Sequence, residues 1–458
     1  MDLKNISAVY FIGIGGIGMS ALARYFLANN KKVAGYDKTS TTLTQLLEKE
    51  GAEIHYNDNV SAIPNYCLDK EHCLVVYTPA VPATHSELHF FKKEQYQVVK
   101  RAEVLGFITM ASKGLCIAGT HGKTTTSAML AHLLYQTPEQ CNAFLGGILK
   151  NNQSNLLLSS TSPYTVIEAD EYDRSFHKLK PYISVITSAD PDHLDIYHSA
   201  TSYYDSFNHY TSLIQPGGAL LIREGLKLTP KLQPGVKQYT YSRESGDFHA
   251  DNIKIGDGEI VFDFIAPNLI IPKVKLGVPV SINIENSIAA MAIAHLIGTA
   301  PEVIAKGIAT FQGVDRRFDF KVKNDKVVYL NDYAHHPSEI KQCILSLKEI
   351  YPTKKISIIF QPHLFSRTKD FYNDFAESLS FADEVILTDI YPAREEPIPG
   401  VTSRLIFDAI APKVEKSYIT LDNLLTFVAE NQFEVLATLG AGDIINSVEP
   451  ITKIVANR

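Results

Sequence analysis

Cysteine is scarce in this chain and follows no pattern. The five, Cys67, Cys73, Cys116, Cys141 and Cys343, are odd in number and scattered, with no Cys-x-x-Cys. That argues against a disulfide framework and a cysteine zinc site, and it fits a reducing compartment. Basic residues are not in excess: 43 Lys and Arg stand against 50 Asp and Glu, a formal net charge of −7. No nucleic-acid partner is expected, because that footprint shows as a basic stripe or a strongly basic domain. Long apolar runs are missing too. The most signal-like stretch, residues 8–23, holds four glycines, has Asp2 beside Lys4 in its flank, and ends at Arg24. Neither a secretory signal nor a spanning helix has that form, so the expectation is a cytoplasmic protein without membrane insertion. Internal repeats and low-complexity tracts are also lacking.

What is present is a globular mix, 45% hydrophobic and 20% charged over 458 residues. That length suggests about three domains. Strand-like and helix-like segments alternate through most of the chain, which predicts an α/β fold with parallel sheets. In the first block 8–14 and 32–36 read as strands around a helix over 17–28, and 73–77 reads as another strand. The second block opens with a strand over 114–118 and a helix over 124–134. Polar loops at 151–155 and 159–163 follow, then strands at 164–167 and 183–187. Residues 224–280 are hard to read, and 286–297 reads as a helix. The third block has strands at 327–330, 356–360, 385–388 and 435–439, with helices at 338–350, 370–379 and 423–430. The expected domains are 1–106, 107–313 and 314–458. Glycines near Gly106–Gly114 and Gly313–Val314 are the expected hinges.

Four motifs carry chemistry. Gly13-Ile14-Gly15-Gly16-Ile17-Gly18 fits G-x-G-x-x-G between a strand and a helix. Glycines there permit a tight turn and let backbone amides approach a diphosphate at the helix N-terminus. Asp37, at the end of the next strand, is placed to reach a ribose. Taken alone this suggests NAD, and a turn that merely packs helix on strand is the bland alternative. The second motif is Gly119-Thr120-His121-Gly122-Lys123-Thr124-Thr125. Such a loop cradles phosphates with backbone N–H groups, Lys123 adds a point charge, and the Thr124 hydroxyl suits Mg²⁺.

The third motif is acidic. Glu168, Asp170, Glu171 and Asp173 fall in six residues after one strand, and Asp190, Asp192 and Asp195 with His193 fall after the next. Carboxylates crowded at strand ends repel each other unless a cation sits among them. In that setting His193 reads as a metal ligand. The fourth group collects at strand ends in the last third: Gly313–Phe318 with Arg316 and Arg317, Asn331–Pro337, Gln361–Thr368 and Tyr391–Pro397. Doubly wound domains build sites at such ends.

Together these motifs resemble the Mur ligases, the ATP-dependent ligases of peptidoglycan precursor synthesis, above all the branch that adds L-alanine to UDP-N-acetylmuramate. FIGIGGIGMSALA (11–23), GTHGKTTT (119–126), DHLD (192–195), DYAHHP (332–337), DIYPAREEPIPGVTS (389–403) and GAGDI (440–444) carry the resemblance along nearly the whole chain. It implies an N-terminal Rossmann-like domain for the UDP-sugar, a central P-loop ATPase and a C-terminal Rossmann-like domain. It replaces NAD by UDP at Gly13, Gly15, Gly16, Ile17, Gly18 and Asp37. Lys123, Glu168 and His193 are the implied catalytic residues, with Thr124, Glu168 and His193 holding two Mg²⁺ ions. ATP would lie on Gly119, Thr120, His121, Gly122, Lys123, Thr124 and Thr125, with Asn283 and Asn286 at the adenine. Arg316 or Arg317 would face phosphate and Asp332 the ribose. His335, His336, His363 and Arg367 would surround the sugar's carboxylate and the incoming L-alanine. The chain would act as a monomer or weak homodimer on these small molecules.

The chain departs from the family's pattern in places. Position 364 is Leu where Arg is expected, Ile282 replaces the leading histidine of H-N-x-x-N, and Ser188 stands where Asn is common. No Lys occurs between Lys180 and Lys227, so the carbamylated lysine of sister ligases has no candidate there. The competing readings are a recycling ligase that attaches an intact tripeptide to the same sugar, an NAD-dependent dehydrogenase, and a nucleotide-binding regulatory protein without catalysis, against which Lys123, Thr124, Glu168 and His193 speak.

Overall fold

The computed structural model describes residues 5–457 other than 79, 80, 83, 139, 193, 257 and 394, with backbone alone at 194 and 195. The chain forms two compact units. One comprises Met1–Asp251, Phe264–Pro272 and Glu285–Phe311; the other comprises Asn252–Asp263, Lys273–Ile284 and Gln312–Arg458.

The first unit opens with β1 (Ala8–Ile12), α1 (Ile17–Ala28), β2 (Lys32–Tyr36), α2 (Thr42–Lys49), β3 (Glu53–His55), β4 (Cys73–Tyr77), α3 (Ser86–Lys93), β5 (Gln97–Lys100) and α4 (Arg101–Ala111). The sheet is parallel, in order β3-β2-β1-β4-β5. Every residue of β1 is buried, as an apolar run covered on both faces requires. The strand order reverses at β1, so Gly13–Gly18 opens into the crevice where such sheets bind ligands.

The chain passes from α4 directly into β6 (Lys113–Ala118), α5 (Lys123–Tyr135), β7 (Asn142–Leu149), β8 (Ser154–Leu157), β9 (Tyr164–Ala169), a 3₁₀ segment at Tyr172–Lys178, and β10 (Pro181–Ile186). Then come α6 (Leu194–Tyr197), α7 (Ala200–Thr211), β11 (Ala219–Arg223) and β12 (Lys237–Tyr241). The sheet order is β12-β11-β10-β6-β9-β7-β8, parallel except for the β7–β8 pair. The segment that was hard to read supplies β12, β13 (His249–Gly256), β14 (Glu259–Ala266) and β15 (Leu269–Lys275), the last three in one small sheet. After it come α8 (Ile282–Leu296) and α9 (Pro301–Thr310).

The remainder holds β16 (Asp319–Lys323), β17 (Val328–Asp332), α10 (Pro337–Ile350), β18 (Ile356–Phe360), α11 (Phe365–Leu379), β19 (Glu384–Leu387), α12 (Arg404–Ala409), β20 (Glu415–Tyr418), α13 (Leu421–Glu430), β21 (Val435–Leu439) and α14 (Ile445–Ala456). Its sheet runs β16-β17-β21-β18-β19-β20, with only β16 antiparallel. The fold is therefore α/β with three mainly parallel sheets, as expected, and one small additional sheet. No helix among the described residues is long and apolar enough to cross a membrane.

Three sequence expectations change. The 106/107 division falls inside α4. Gly106 is not a hinge: a Cβ there would overlap the Lys178 carbonyl, so this glycine lets α4 lie against the segment after β9. Residues 151–155 are not wholly a loop, because Asn155 lies in β8 and is fully buried. Its Nδ2 donates to Ile17 O at 2.6 Å and Ser20 Oγ at 3.0 Å, and its Oδ1 accepts from Arg24 Nη1 at 2.6 Å. That one amide ties β8 to α1, and Tyr25 and Phe144 meet beside it with centroids 5.5 Å apart. The first two blocks thus share one core, and Phe26, Phe144 and Phe176 belong to a single buried cluster. Gly313, at the other expected hinge, has φ +96°, which only glycine adopts freely.

Candidate functional site

The loop after β6 is built by close approach. Gly119 has φ +136°, and a Cβ there would overlap the Thr187 hydroxyl. Gly122, at φ +82°, caps α5, and a Cβ on it would lie 2.9 Å from Asn286 Oδ1. Side chains at the end of β10 brace the turn between these glycines. Thr187 Oγ1 donates to His121 O at 2.5 Å, and His121 N donates to Ser188 Oγ at 2.7 Å. The Ser188 hydroxyl, at the position where the resemblance led to an expectation of Asn, therefore holds the loop. Thr120 Oγ1 donates to Asp190 O at 2.8 Å and lies 2.7 Å from Tyr203 Oη. His121 Nε2 stands 3.7 Å from Asp190 Oδ2, Thr125 sits in the first turn of α5, and Thr126 Oγ1 lies 3.2 Å from Asn286 Oδ1. Asn283, also on α8, donates to Val278 O at 3.1 Å.

Lys123 opens α5 and is curled into its own loop. Its ammonium donates to Gly119 O at 2.6 Å and Thr120 O at 3.2 Å, and it lies 2.7 Å from Glu171 Oε2. Burial alone would lower the Lys123 pKa, but the carboxylates of Glu171 and Glu168 outweigh it and raise the value. Burial pushes the Glu171 carboxyl up to about 7, against the pull of the Lys123 ammonium. Beside it Thr124 Oγ1 stands 3.0 and 3.1 Å from the two carboxylate oxygens of Glu168. Glu168 is within β9 rather than after it, so its position is set by the sheet. Gly146 of β7 leaves the room: a Cβ there would overlap that carboxylate, with Cδ at 2.8 Å.

The acidic run is divided in its work. Glu168 faces Thr124, Glu171 faces Lys123, and Asp170 accepts from Arg101 Nη2 at 3.0 Å. Asp173 pairs with Lys100. Motif reading grouped these four carboxylates and missed the individual partners, along with Gly146, Asn155, Tyr203 and Arg101. His193 lies outside the described residues. Among those described, no group of three or more His, Cys, Asp and Glu gathers to hold a metal ion.

At the first loop, Gly13 has φ +87°, Gly16 caps α1 without a side chain, and Ile17 and Gly18 form its first turn. Asp37 Oδ2 accepts from Gly15 N at 2.7 Å, so its carboxylate caps the loop. Deeper in this domain Glu87 is fully buried; it accepts from Tyr10 Oη at 2.7 Å and Asn59 N at 3.1 Å. His55 Nε2 lies 3.4 Å from the same carboxylate. Burial pushes the Glu87 carboxyl up to about 7.

In the C-terminal domain the predicted residues gather at the ends of β17, β18 and β19. Asp332 accepts from Phe318 N at 2.5 Å and Ala334 N at 2.7 Å, bracing the Arg316–Arg317 turn. Burial raises its pKa to about 6. Both guanidinium groups stack on Tyr333, at 4.5 and 5.3 Å. His335 and His363 stand 6.0 Å apart by centroid, and His363 is 5.6 Å from Tyr391. His336 caps α10, with Nδ1 3.0 Å from Ser338 Oγ. Arg367 lies in the first turn of α11 rather than in a loop, and its Nη1 is buried without a hydrogen-bond partner. Leu364, where Arg is expected, has φ +71°, a costly conformation for leucine, and donates to Tyr391 O at 2.9 Å. Arg394 of the Tyr391–Pro397 motif lies outside the described residues.

Comparison with known proteins matches this arrangement along the chain. The Mur ligase family catalytic domain matches residues 8–113, the Mur ligase middle domain 117–294 and the Mur ligase glutamate ligase domain 316–445. A UDP-N-acetylmuramate–L-alanine ligase of Phocaeicola vulgatus is 61% identical over 451 residues, 98% of each chain. The crystal structure of the UDP-N-acetylmuramate-alanine ligase MurC of Thermotoga maritima superposes with a TM-score of 0.84 at 27% identity, over 98% of this chain and 99% of that one. A murein peptide ligase of Psychrobacter arcticus shares the fold with a TM-score of 0.67 at 18% identity, over 98% of each chain.

Proposed function

The chain belongs to the Mur ligase family, and from that premise we propose that it joins L-alanine to the carboxylate of UDP-N-acetylmuramate at the expense of ATP. The observation that carries this is the 61% identity, over 98% of the chain, to a ligase of that description. The reaction serves peptidoglycan precursor synthesis and runs in the cytoplasm, on small-molecule substrates.

The chemistry proceeds in two transfers. A carboxylate oxygen of the sugar attacks the γ-phosphorus of ATP, and ADP leaves. The amino group of L-alanine then attacks the acyl phosphate carbonyl, loses a proton, and inorganic phosphate departs from the tetrahedral intermediate. Every reactant near the transferred group is anionic, so the protein's task is positioning and charge compensation. Lys123, already ionised and fixed at the loop, supplies a cation without reorganising the backbone. Thr124 and Glu168 offer hard oxygen donors 3.0 and 3.1 Å apart, the donor chemistry that would suit Mg²⁺. An Mg²⁺ held by these two residues would supply charge neutralisation at the transferring phosphoryl group. His193 is the remaining metal candidate from the sequence.

The buried, unpaired Nη1 of Arg367 suits a carboxylate, and His335, close enough to feel its charge, together with His363 next to that ring suits the polar end of L-alanine. Asn286 lies 3.2 Å from Thr126 Oγ1 and fills the space where a side chain on Gly122 would go, which supports a place beside the nucleotide. Phosphate release on mixing ATP, Mg²⁺, UDP-N-acetylmuramate and L-alanine tests the assignment; release that needs no UDP-sugar would refute it.

A further inference from the structure

We infer that Arg101 is a phosphate-facing residue of the UDP-sugar site, held in place by Asp170. The inference rests on reading Gly13–Gly18 as the UDP loop and adds a residue to that same site. Arg101 is the first residue of α4, and Lys100 is its N-cap. Basic side chains at this end oppose the helix dipole, so local helix energetics do not account for them. Their partners lie on the segment after β9. Lys100 pairs with Asp173, and Arg101 Nη2 donates to Asp170 Oδ2 at 3.0 Å.

The other side of the guanidinium lies on the UDP loop. A Cβ at Gly18 would overlap Arg101 Nη1, and would stand 3.0 Å from its Cζ and 3.2 Å from its Cδ. All three nearest atoms belong to Arg101. The third glycine of such a motif ordinarily permits close helix–strand packing. Here its bare Cα makes room for an arginine at the first turn of α1. That turn is an anion-binding end. It already carries one negative charge, because the Asp37 carboxylate accepts from Gly15 N at 2.7 Å. A diphosphate arriving there meets like charge unless a cation stands by. Arg101 is that cation.

Asp170 is a positioning residue. Its Oδ1 accepts from Tyr172 N at 3.1 Å and its carbonyl accepts from Phe176 N at 2.8 Å, so the carboxylate is fixed before it meets Arg101. It engages Nη2 and leaves the Nη1 edge turned to Gly18. The arginine side chain is 26% exposed, so a ligand can reach it. The next residue, Glu171, does the same for Lys123 at the ATP loop. Two consecutive carboxylates therefore place one cation at each phosphate loop.

Calorimetric titration of the full chain without ATP tests this, with UDP-N-acetylmuramate, UDP and uridine as ligands. Arg101→Ala should weaken the first two by about ten- to hundredfold, the range of a charge-assisted hydrogen bond, and leave uridine unchanged. Arg101→Lys should fall between. Gly18→Ala, which displaces the guanidinium, should weaken the same two ligands. Asp170→Asn should raise KM for the UDP-sugar and not for ATP, and Asp170→Glu should restore part of it. Affinity of Arg101→Ala for a non-hydrolysable ATP analogue, equal to wild type, reports that the fold is intact. Equal UDP affinity in Arg101→Ala and wild type would overturn the assignment alone, as would an equal loss for uridine. Wild-type protein that bound no uridine nucleotide would overturn the UDP reading and this assignment with it.

Discussion

The ammonium of Lys123 and the carboxylate of Glu171 meet at 2.7 Å, with side chains 12% and 2% exposed. Cutting such a pair on one side leaves a buried charge alone, which costs about 3–5 kcal/mol. Lys123→Ala should therefore lower thermal stability as well as abolish turnover. Adding Glu171→Gln to it should recover much of the stability and none of the turnover. UDP-sugar affinity in Lys123→Ala, measured by calorimetry, should stay near wild type, because the two loops belong to different sheets. Lost UDP-sugar affinity would contradict separate sites.

Gly146→Ala should lower the rate by at least about tenfold, since the added methyl displaces the Glu168 carboxylate and tenfold needs only about 1.4 kcal/mol of barrier. Glu168→Gln should raise the Mg²⁺ concentration for half-maximal rate and reduce the rate further. Steady-state rates against Mg²⁺ measure both. His193→Ala should show the same Mg²⁺ signature more weakly, because Mg²⁺ prefers a charged oxygen to an imidazole nitrogen. An unchanged Mg²⁺ dependence would return His193 to a structural role.

The two glycine loops and the acidic run were legible in the sequence because they are rare combinations in short spans. Glycines flanking Lys123 and Thr124, and carboxylates crowded after an apolar run, mark themselves. Several strands and helices, such as β1, β2, α1 and α10, followed from apolar patterning in the same way. Partners far apart in sequence did not. Arg101 and Asp170, or Asn155 and Ile17, sit in different elements and carry no local period. Asn155 was taken for loop because its neighbours are polar, yet its side chain is satisfied across the core. Residues 224–280 resisted reading because β13 and β15 are largely half-exposed and mix polar with apolar residues, and among the described residues β13 to β15 form a sheet of their own.

Glu87 predicts a pH dependence of folding. Burial raises its carboxyl from 4.5 to about 7 in the folded chain. The folded state thus holds this proton more tightly than the unfolded state. The stability gained is whole below about pH 4.5 and is lost as pH rises through about 7, by up to about 3 kcal/mol. Thermal melts at pH 5 and pH 8 should show this loss, and Glu87→Gln should flatten it. Tyr10 can donate to His55 when the amide replaces the acid, so the variant should fold. A pH profile unchanged in Glu87→Gln would assign the dependence to other groups.

Arg367→Ala should raise KM for the UDP-sugar or for L-alanine by about tenfold or more, the value of one charge-assisted contact to a carboxylate. The ATP KM should stay within about twofold. An effect confined to ATP would place this guanidinium at phosphate instead.

The most direct test is phosphate release with ATP, Mg²⁺ and UDP-N-acetylmuramate, adding L-alanine, glycine, L-serine or the intact tripeptide in turn. Release should require the UDP-sugar and should be fastest with L-alanine. A preference for the tripeptide would move the chain to the recycling ligases, and turnover of NAD in place of ATP would contradict the ligase account altogether.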